Sequence, residues 1–148
     1  MTKGLFVVAA AMLAASPSLQ AKSSQSDLKW GPAPPALPAG AQMAVVSGDP
    51  TKAGMFTVQV KFPADYAVPA HWHPTDEKLT ILSGKLGYGM SSKLDKAKAK
   101  TLTAGQHVVM KAKMNHWVFA ETPVEFQLNA RGPFQVTYVD PKDDPRKK

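Results

Sequence analysis

The chain has 148 residues, 44% of them hydrophobic and 20% charged, a composition that fits one packed domain and excludes general disorder. It carries 18 Lys and Arg against 11 Asp and Glu, which gives a net charge of +7, and it contains no cysteine. The absence of cysteine excludes disulfides, cysteine nucleophiles and metal sites with thiolate ligands. Any metal in this protein must therefore be held by histidine and carboxylate side chains.

The N-terminus has the pattern of an export signal. Lys3 precedes an uncharged apolar run at residues 5–15, which is well short of the ~20 residues that a membrane-spanning helix needs. We predict a Sec-type signal peptide over residues 1–21, cleaved after Ala21; the alternatives are a buried helix and an uncleaved anchor. The predicted location is the periplasm or the extracellular medium, without stable membrane insertion.

Residues 22–41 are rich in Ser, Pro and Ala, and their prolines favour extended backbone over helix. We interpret this segment as an N-terminal arm that lies over the domain, with Trp30 as its anchor. The alternative interpretation is a loose linker that follows the signal.

From Gln42 onward, apolar and polar residues alternate with the period of a β-strand, most clearly at 54–62 and 124–130. Eight or nine short strands at this spacing predict an all-β sandwich or small barrel over residues 42–140, with a charged C-terminal tail over 141–148. The shorter apolar runs lie at 79–82, 86–90, 108–110, 117–119 and 134–139.

The lysine-rich segment 91–100 is the most basic part of the predicted domain. Its default interpretation is a solvated connecting loop, and the alternative is an anion-binding lip over a pocket. Because no aromatic residues interleave with these lysines, we expect no nucleic-acid partner.

Three of the four histidines form a pattern with one glutamate. His71 and His73 are two residues apart, so both imidazoles point to the same face of a strand. Glu77 follows after a short turn-prone insert, and His116 lies much later in the chain. Three imidazoles and one carboxylate can hold a divalent transition metal and leave coordination positions for water or substrate.

The spacing His71-x-His73-x3-Glu77-x6-Gly84 resembles the first motif of the cupin superfamily, and Gly105-x10-His116 is similar to the second. The resemblance implies a jelly-roll β-barrel or sandwich in which His71, His73, Glu77 and His116 bind one metal ion. Glu77 is also the candidate catalytic base. The segment from Trp30 to Pro32 and the sequence around His71 further resemble small exported single-domain cupins of the type 2-like group.

This chain departs from the family pattern at positions that are not metal ligands. The first cupin motif usually opens with Gly, where this chain has Asp65. The second usually carries Pro, Gly and a final Asn, where this chain has Lys111, Lys113 and Ala120. These departures concern turn geometry and the lining of the pocket.

Alternation along the strands predicts which neighbours share the pocket. If His71 and His116 point inward, Trp117 points outward and Val118 points inward. His107 falls outside the motifs, and we interpret it as a surface residue or a neighbour of the ligands. The polar candidates for the pocket wall are Gln59, Tyr88, Gln127 and Tyr138.

The favoured function is a metal-dependent enzyme acting on a small oxygenated organic molecule. The cupin resemblance implies a dioxygenase-like oxidoreductase, an isomerase or a lyase, with one ion of Fe, Mn, Ni, Cu or Zn as the cofactor. One alternative is a non-catalytic module that binds or senses a metal or a small ligand, and another is a secreted structural or storage protein. A homodimer is compatible with the family resemblance.

Overall fold

The computed structural model describes residues 27–148, so the predicted signal peptide and residues 22–26 of the arm lie outside the described residues. Residues 27–148 form β-strands and short 3₁₀ helices but no α-helix, and no helix in this part of the chain is long and apolar enough to cross a bilayer. The strands are β1 (Gly31–Pro32), β2 (Gln42–Ser47), β3 (Gly54–Phe62), β4 (Ala67–Trp72), β5 (Glu77–Ser83), β6 (Leu86–Gly89), β7 (Lys100–Leu102), β8 (His107–Met110), β9 (His116–Ala120), β10 (Val124–Gly132) and β11 (Thr137–Tyr138).

The strands form two antiparallel sheets. The first sheet has the order β1-β2-β3-β10-β5-β8, and the second has the order β11-β4-β9-β6-β7. Neither sheet closes on itself, so the architecture is a sandwich of two open sheets. The predicted all-β fold is confirmed.

The core lies between the two sheets because each strand turns its apolar side chains inward. In β3, Phe56, Val58, Val60 and Phe62 are buried, whereas the residues between them are half-buried on the outer face. β10 repeats this pattern and pairs with β3 over nine positions, from Val124 opposite Phe62 to Gly132 opposite Gly54. This long pairing makes β3 and β10 the centre of the first sheet.

A smaller apolar cluster lies on the outer face of the second sheet. Ala70, Trp117 and Phe119 are buried there, and Leu94 and Ala99 pack against them. The cluster accounts for the position of the lysine-rich segment. Residues 91–99 cover Trp117, whose indole N–H donates to the Ser91 hydroxyl at 2.8 Å. This segment therefore lies on the opposite face of the sheet from the inward-pointing histidines.

Two predicted strand runs differ from the observed ones. The predicted run at 134–139 contains only the two-residue strand β11. Phe134 follows a proline, and its N–H donates to the Pro50 carbonyl instead of to a neighbouring strand. β5 begins at Glu77, two residues before the predicted run, and so brings the carboxylate onto the first sheet.

The predicted arm is in contact with the domain from Trp30 onward. The Lys61 ammonium lies 3.8 Å from the centre of the Trp30 ring, and β1 pairs with β2 at Gly31 opposite Met43. At the other end, residues 141–147 form two 3₁₀ turns. Arg146 holds this end in place by donating to the Val136 carbonyl and to Asp144.

Candidate metal centre

The second sheet brings two of the predicted ligands together. His71 lies in β4 and His116 is the first residue of β9, and the antiparallel register places them opposite each other. Their ring centres are 4.4 Å apart. His73 lies one residue past the end of β4, with its ring centre 4.9 Å from that of His71 and 5.1 Å from that of His116.

A backbone carbonyl orients each of these three imidazoles. Nδ1 of His71 lies 2.6 Å from the Pro69 oxygen, and Nδ1 of His116 lies 3.0 Å from the Met114 oxygen. Nδ1 of His73 lies 2.7 Å from the oxygen of Gln135. Since a carbonyl oxygen only accepts hydrogen bonds, each Nδ1 must carry the proton and donate, which leaves the lone pair on Nε2 of the neutral ring.

The three histidines thereby form a cluster of donor atoms suited to a metal. One ring nitrogen from each of His71, His73 and His116 lies within 4.8 Å of the others, and all three residues are buried. Neutral imidazole nitrogens are common ligands of Zn, Cu, Fe and Ni. The cluster could therefore hold a metal ion.

Glu77 contacts this cluster from the first sheet. Its Oε2 lies 2.6 Å from Nε2 of His73, yet both atoms are buried and neither has a hydrogen-bond partner with acceptable geometry. A carboxylate oxygen and an imidazole lone pair repel each other at this distance unless a proton or another cation attracts both. This pair of atoms without hydrogen bonds fits a bound cation, so the residues present suit a metal ion.

Burial and mutual charge set the protonation of the cluster. Burial, together with the neighbouring His116 and His73, lowers the pKa of His71 to about 3, and burial lowers the pKa of His116. Burial by itself would raise the pKa of Glu77, but the charge of His73 and its contact with the carboxylate outweigh this effect and lower the pKa to about 2. Burial likewise acts to lower the pKa of His73, and Glu77 reverses the direction and raises it. His71 and His116 are thus neutral and Glu77 is ionised near neutral pH, as metal binding requires.

The cluster lines a small cavity of about 30 Å³ between the sheets. This volume suffices for about two water molecules. The walls are otherwise apolar, which keeps water away from the donor atoms. The lining residues are Leu37, Met43, Val60, Phe62, Val68, His71, His73, Glu77, Leu79, His116, Val118, Phe126, Leu128 and Phe134.

The four polar residues predicted to line the pocket lie outside this lining. Gln59 and Gln127 sit on the outer face of the first sheet, because the buried positions of β3 and β10 are the alternate ones. Tyr88 lies opposite Val118 in the second sheet and packs half-buried against the core. Tyr138 approaches the site most closely, with its ring centre 5.8 Å from that of His71, but its hydroxyl donates to the Ala36 carbonyl of the arm.

His107, the fourth histidine, is exposed in β8 at the edge of the first sheet, away from the cluster. This placement agrees with its interpretation as a surface residue.

Several features of the site were not identified from the sequence. The carbonyls of Pro69 and Met114 each lie two residues before the histidine that they orient, a local relationship that the sequence could have suggested. The Gln135 carbonyl is 62 positions from His73 in the chain, so no local sequence pattern could indicate this contact. Phe134 stacks on the His73 ring with the ring centres 5.4 Å apart, and Leu37 brings the arm into the cavity wall.

No family model matches the chain, and no curated protein matches it. Solved structures match well. A proposed acetylacetone dioxygenase from Methylibium petroleiphilum has a TM-score of 0.64 at 21% identity, over 90% of each chain. The polyketide cyclase RemF from Streptomyces resistomycificus has a TM-score of 0.61 at 16% identity, over 82% of this chain and 87% of that one.

An RmlC-like cupin from Shewanella frigidimarina has a TM-score of 0.58 at 13% identity, over 74% of this chain and 87% of that one. The last of these neighbours is a cupin, and the two-sheet sandwich of this chain has the fold of all three. At these identities, the likeness establishes the fold and not the reaction.

Proposed function

We propose that this protein is an exported, metal-dependent enzyme that acts on a small oxygenated organic molecule. One observation supports this proposal most strongly: three imidazoles, each oriented by a carbonyl, converge in a buried cavity where Glu77 Oε2 and His73 Nε2 have no hydrogen-bond partner. His71, His73 and His116 would hold the metal, and Glu77 is the carboxylate available as a fourth ligand.

When bound, a divalent transition ion supplies Lewis-acid chemistry and, if it is redox-active, reactivity toward O₂. The chain's own residues determine how that chemistry is used. Nδ1 of each histidine donates to a fixed carbonyl, so the rings are held in place before any ligand arrives. Oε2 of Glu77 is the atom that can take up a proton, which makes Glu77 the candidate base.

The apolar walls favour a substrate with a compact hydrocarbon body. Phe62, Phe126 and Leu128 line the cavity on the side of the first sheet, and they exclude water from the donor atoms. Solved structures with this fold include a proposed acetylacetone dioxygenase, a polyketide cyclase and a DMSP lyase. Their variety supports an enzyme without selecting one reaction, because one fold serves many chemistries.

The second candidate function is a module that binds or senses a metal without turnover. The small size of the cavity favours it, since about 30 Å³ has room for an ion and water but not for an organic molecule.

An oxygen-uptake assay separates the two functions. Protein loaded with Fe or Mn is incubated with catechols, flavonols and 1,3-diketones, with His73→Ala as the test variant and the exposed His107→Ala as the matched control. Turnover that His73→Ala abolishes and His107→Ala retains supports the enzyme. Stoichiometric metal binding without turnover across the panel favours the binding module, and a wild-type chain that binds no metal contradicts both functions.

Export would determine which metal the protein meets. A chain that crosses the membrane unfolded takes up its ion outside the cytoplasm, where the intrinsic order of affinities favours Cu and Zn. Metal analysis and N-terminal mass measurement on protein recovered from the periplasm test this. Cleavage after Ala21 with Cu or Zn bound is expected, whereas an intact N-terminus or a lack of both metals contradicts it.

A further inference from the structure

The residues of the metal cluster are nearly inaccessible to solvent, and Nε2 of His73 and Oε2 of Glu77 are buried. The exposed fractions of His71, His73, Glu77 and His116 are 4%, 5%, 6% and 2%. A cavity of about 30 Å³ holds water-sized guests only. A larger ligand can reach these donor atoms only if part of the cavity wall moves.

Leu37 and Phe134 are the two apolar lining residues that lie outside the strands, so they are the candidates for the moving wall. Phe134 is held firmly: its N–H donates to the Pro50 carbonyl at 2.7 Å, and its ring packs against Phe56 and His73. The next residue, Gln135, provides the carbonyl that orients His73. Movement of Phe134 would therefore dismantle the site, which leaves Leu37 as the side chain that can withdraw.

Leu37 lies on a closed loop of the arm. The Ala33 N–H donates to the Ala41 carbonyl at 3.0 Å and closes the base of the loop, next to the pairing of β1 with β2. Compact surface loops with their ends joined in this way are often functional. Three prolines stiffen the loop, so it can move as a unit.

Two tyrosines of the domain hold the loop on either side of Leu37. The Tyr138 hydroxyl donates to the Ala36 carbonyl at 2.7 Å, and the Tyr66 hydroxyl donates to the Pro38 carbonyl at 2.5 Å. Both tyrosines are buried members of the main core, so they remain with the domain when the loop leaves. These two bonds, together with the packing of Ala36 and Leu37 against the core, attach the loop tip to the domain.

We propose that residues 33–41 form a lid over the metal cavity, with Leu37 as the plug that sets the size of the ligands admitted. Lifting the lid withdraws Leu37 and breaks the bonds of the Tyr66 and Tyr138 hydroxyls to the lid carbonyls. The ligand class is a compact apolar molecule, which the apolar lining of the cavity favours. The identity of this ligand as a substrate rests on the proposed function, whereas the opening of the lid is a property of the chain with or without a metal.

The lack of cysteine allows a direct test in the metal-free full chain, kept in EDTA. Val60→Cys places a single thiol in the cavity wall, at a position that is 1% exposed. Val58→Cys is the matched control on the same strand and face: it is 0% exposed and outside the cavity lining. The rate of reaction with methyl methanethiosulfonate, a small reagent, is compared with the rate for the bulkier aromatic disulfide DTNB.

Removal of the plug should open the cavity to both reagents. Leu37→Ala is expected to raise the rate at position 60 by about tenfold and to reduce the preference for the small reagent, because the opened state becomes easier to reach. Leu94→Ala, also a half-buried loop leucine but on the outer face of the second sheet, should leave both rates within about twofold. The double variant Tyr66→Phe with Tyr138→Phe keeps the plug and removes its two hydrogen bonds, so it should also raise the rate at position 60.

Equal rates of thiol modification at position 60 in Leu37→Ala and Leu94→Ala would contradict the lid proposal. Equal acceleration at positions 58 and 60 overturns it as well, since the reagent then enters by general unfolding. Neither readout depends on metal binding or turnover. Failure of the proposed enzyme in the oxygen-uptake assay is therefore distinguishable from failure of the lid.

Discussion

Glu77 and His73 form a buried polar pair whose atoms face the cavity that the three histidines line. Their closest atoms are 2.6 Å apart without a hydrogen bond of good geometry. Each imidazole of the cluster uses Nδ1 on a carbonyl and therefore directs its lone pair into the cavity. A cation that binds between these atoms satisfies both the carboxylate oxygen and the ring nitrogen.

Glu77→Gln is expected to lower both the metal affinity and the stability of the metal-free protein. The variant removes a ligand charge, so metal affinity should fall about 10-fold to 100-fold. In the metal-free protein, the charge of His73 and its contact with the carboxylate lower the pKa of Glu77 to about 2, so removing the carboxylate leaves His73 without its ionic partner and the melting temperature should fall. Competition with a chromophoric chelator measures the affinity, and thermal unfolding in EDTA measures the stability.

The exposed Glu121→Gln is the control, and it should change neither quantity. A lower melting temperature of metal-free Glu77→Gln, with unchanged metal affinity, would mean that the carboxylate serves the fold instead of the metal.

The depressed pKa of His71 predicts how the stability of the metal-free protein depends on pH. In the folded state this pKa is about 3, whereas a free histidine titrates near pH 6.5. As the pH falls below about 6.5, the unfolded chain takes up a proton that the folded chain does not, so stability decreases. Between about pH 6.5 and 5, His71 should contribute a loss approaching about 1.4 kcal/mol per pH unit.

Denaturant unfolding in EDTA at several pH values in this window measures the slope. His71→Asn should have a shallower slope than the wild type, and the exposed His107→Asn should retain the wild-type slope. An unchanged slope in His71→Asn would contradict the assignment of His71 as buried and neutral.

Two turns show why the family pattern places glycine where this chain has other residues. Asp65 and Lys113 adopt φ values of +63° and +62°, in the left-handed region that glycine favours. Aspartate tolerates this region better than lysine does, because its short polar side chain can bond locally. The Lys113 turn is functionally placed, since its N–H donates to the carbonyl of His73 at 2.8 Å.

Lys113→Gly should therefore stabilise the protein by roughly 0.5–1 kcal/mol, the relief of left-handed strain less the greater entropy of unfolded glycine. The midpoint of urea unfolding measures this effect. Lys93→Gly, at an exposed loop lysine that lacks a positive φ, should instead destabilise the chain slightly. Destabilisation by both variants would show that the Lys113 turn carries no relievable strain.

At the scale of the whole molecule, the metal centre joins the two sheets. The histidines belong to the second sheet and its β4 extension, whereas Glu77 opens β5 in the first. A metal that binds both sides therefore acts as a cross-link between the layers, and its binding free energy adds to the stability of the folded state.

Metal at about 100 times its Kd should stabilise the wild type by about 2.7 kcal/mol, which is roughly a 10 °C rise in melting temperature for a domain of this size. Thermal unfolding with metal and with chelator measures the shift. His116→Ala should lose most of the shift and His107→Ala should retain it. If His116→Ala shows the same metal-induced rise in melting temperature as the wild type, the stabilising metal does not bind at this cluster.

The fold was predictable because its signal is local. Alternation in β3 and β10 assigns each side chain to a face, and the structure has the same alternation. Trp117 points outward and Val118 inward, as this alternation predicts. Gln59 and Gln127 were predicted as pocket residues, and the alternation of their own strands places them on the outer face of the first sheet.

The sequence by itself determined the strand faces, the all-β class and the four residues that meet at the cavity, because period-two alternation and motif spacing are properties of neighbouring positions. Only the tertiary structure decided which carbonyls orient the imidazoles, that Phe134 stacks on His73, and that Leu37 closes the cavity. These contacts join residues that are distant in the chain. Their geometry depends on how the arm and the two sheets pack, which no local pattern encodes.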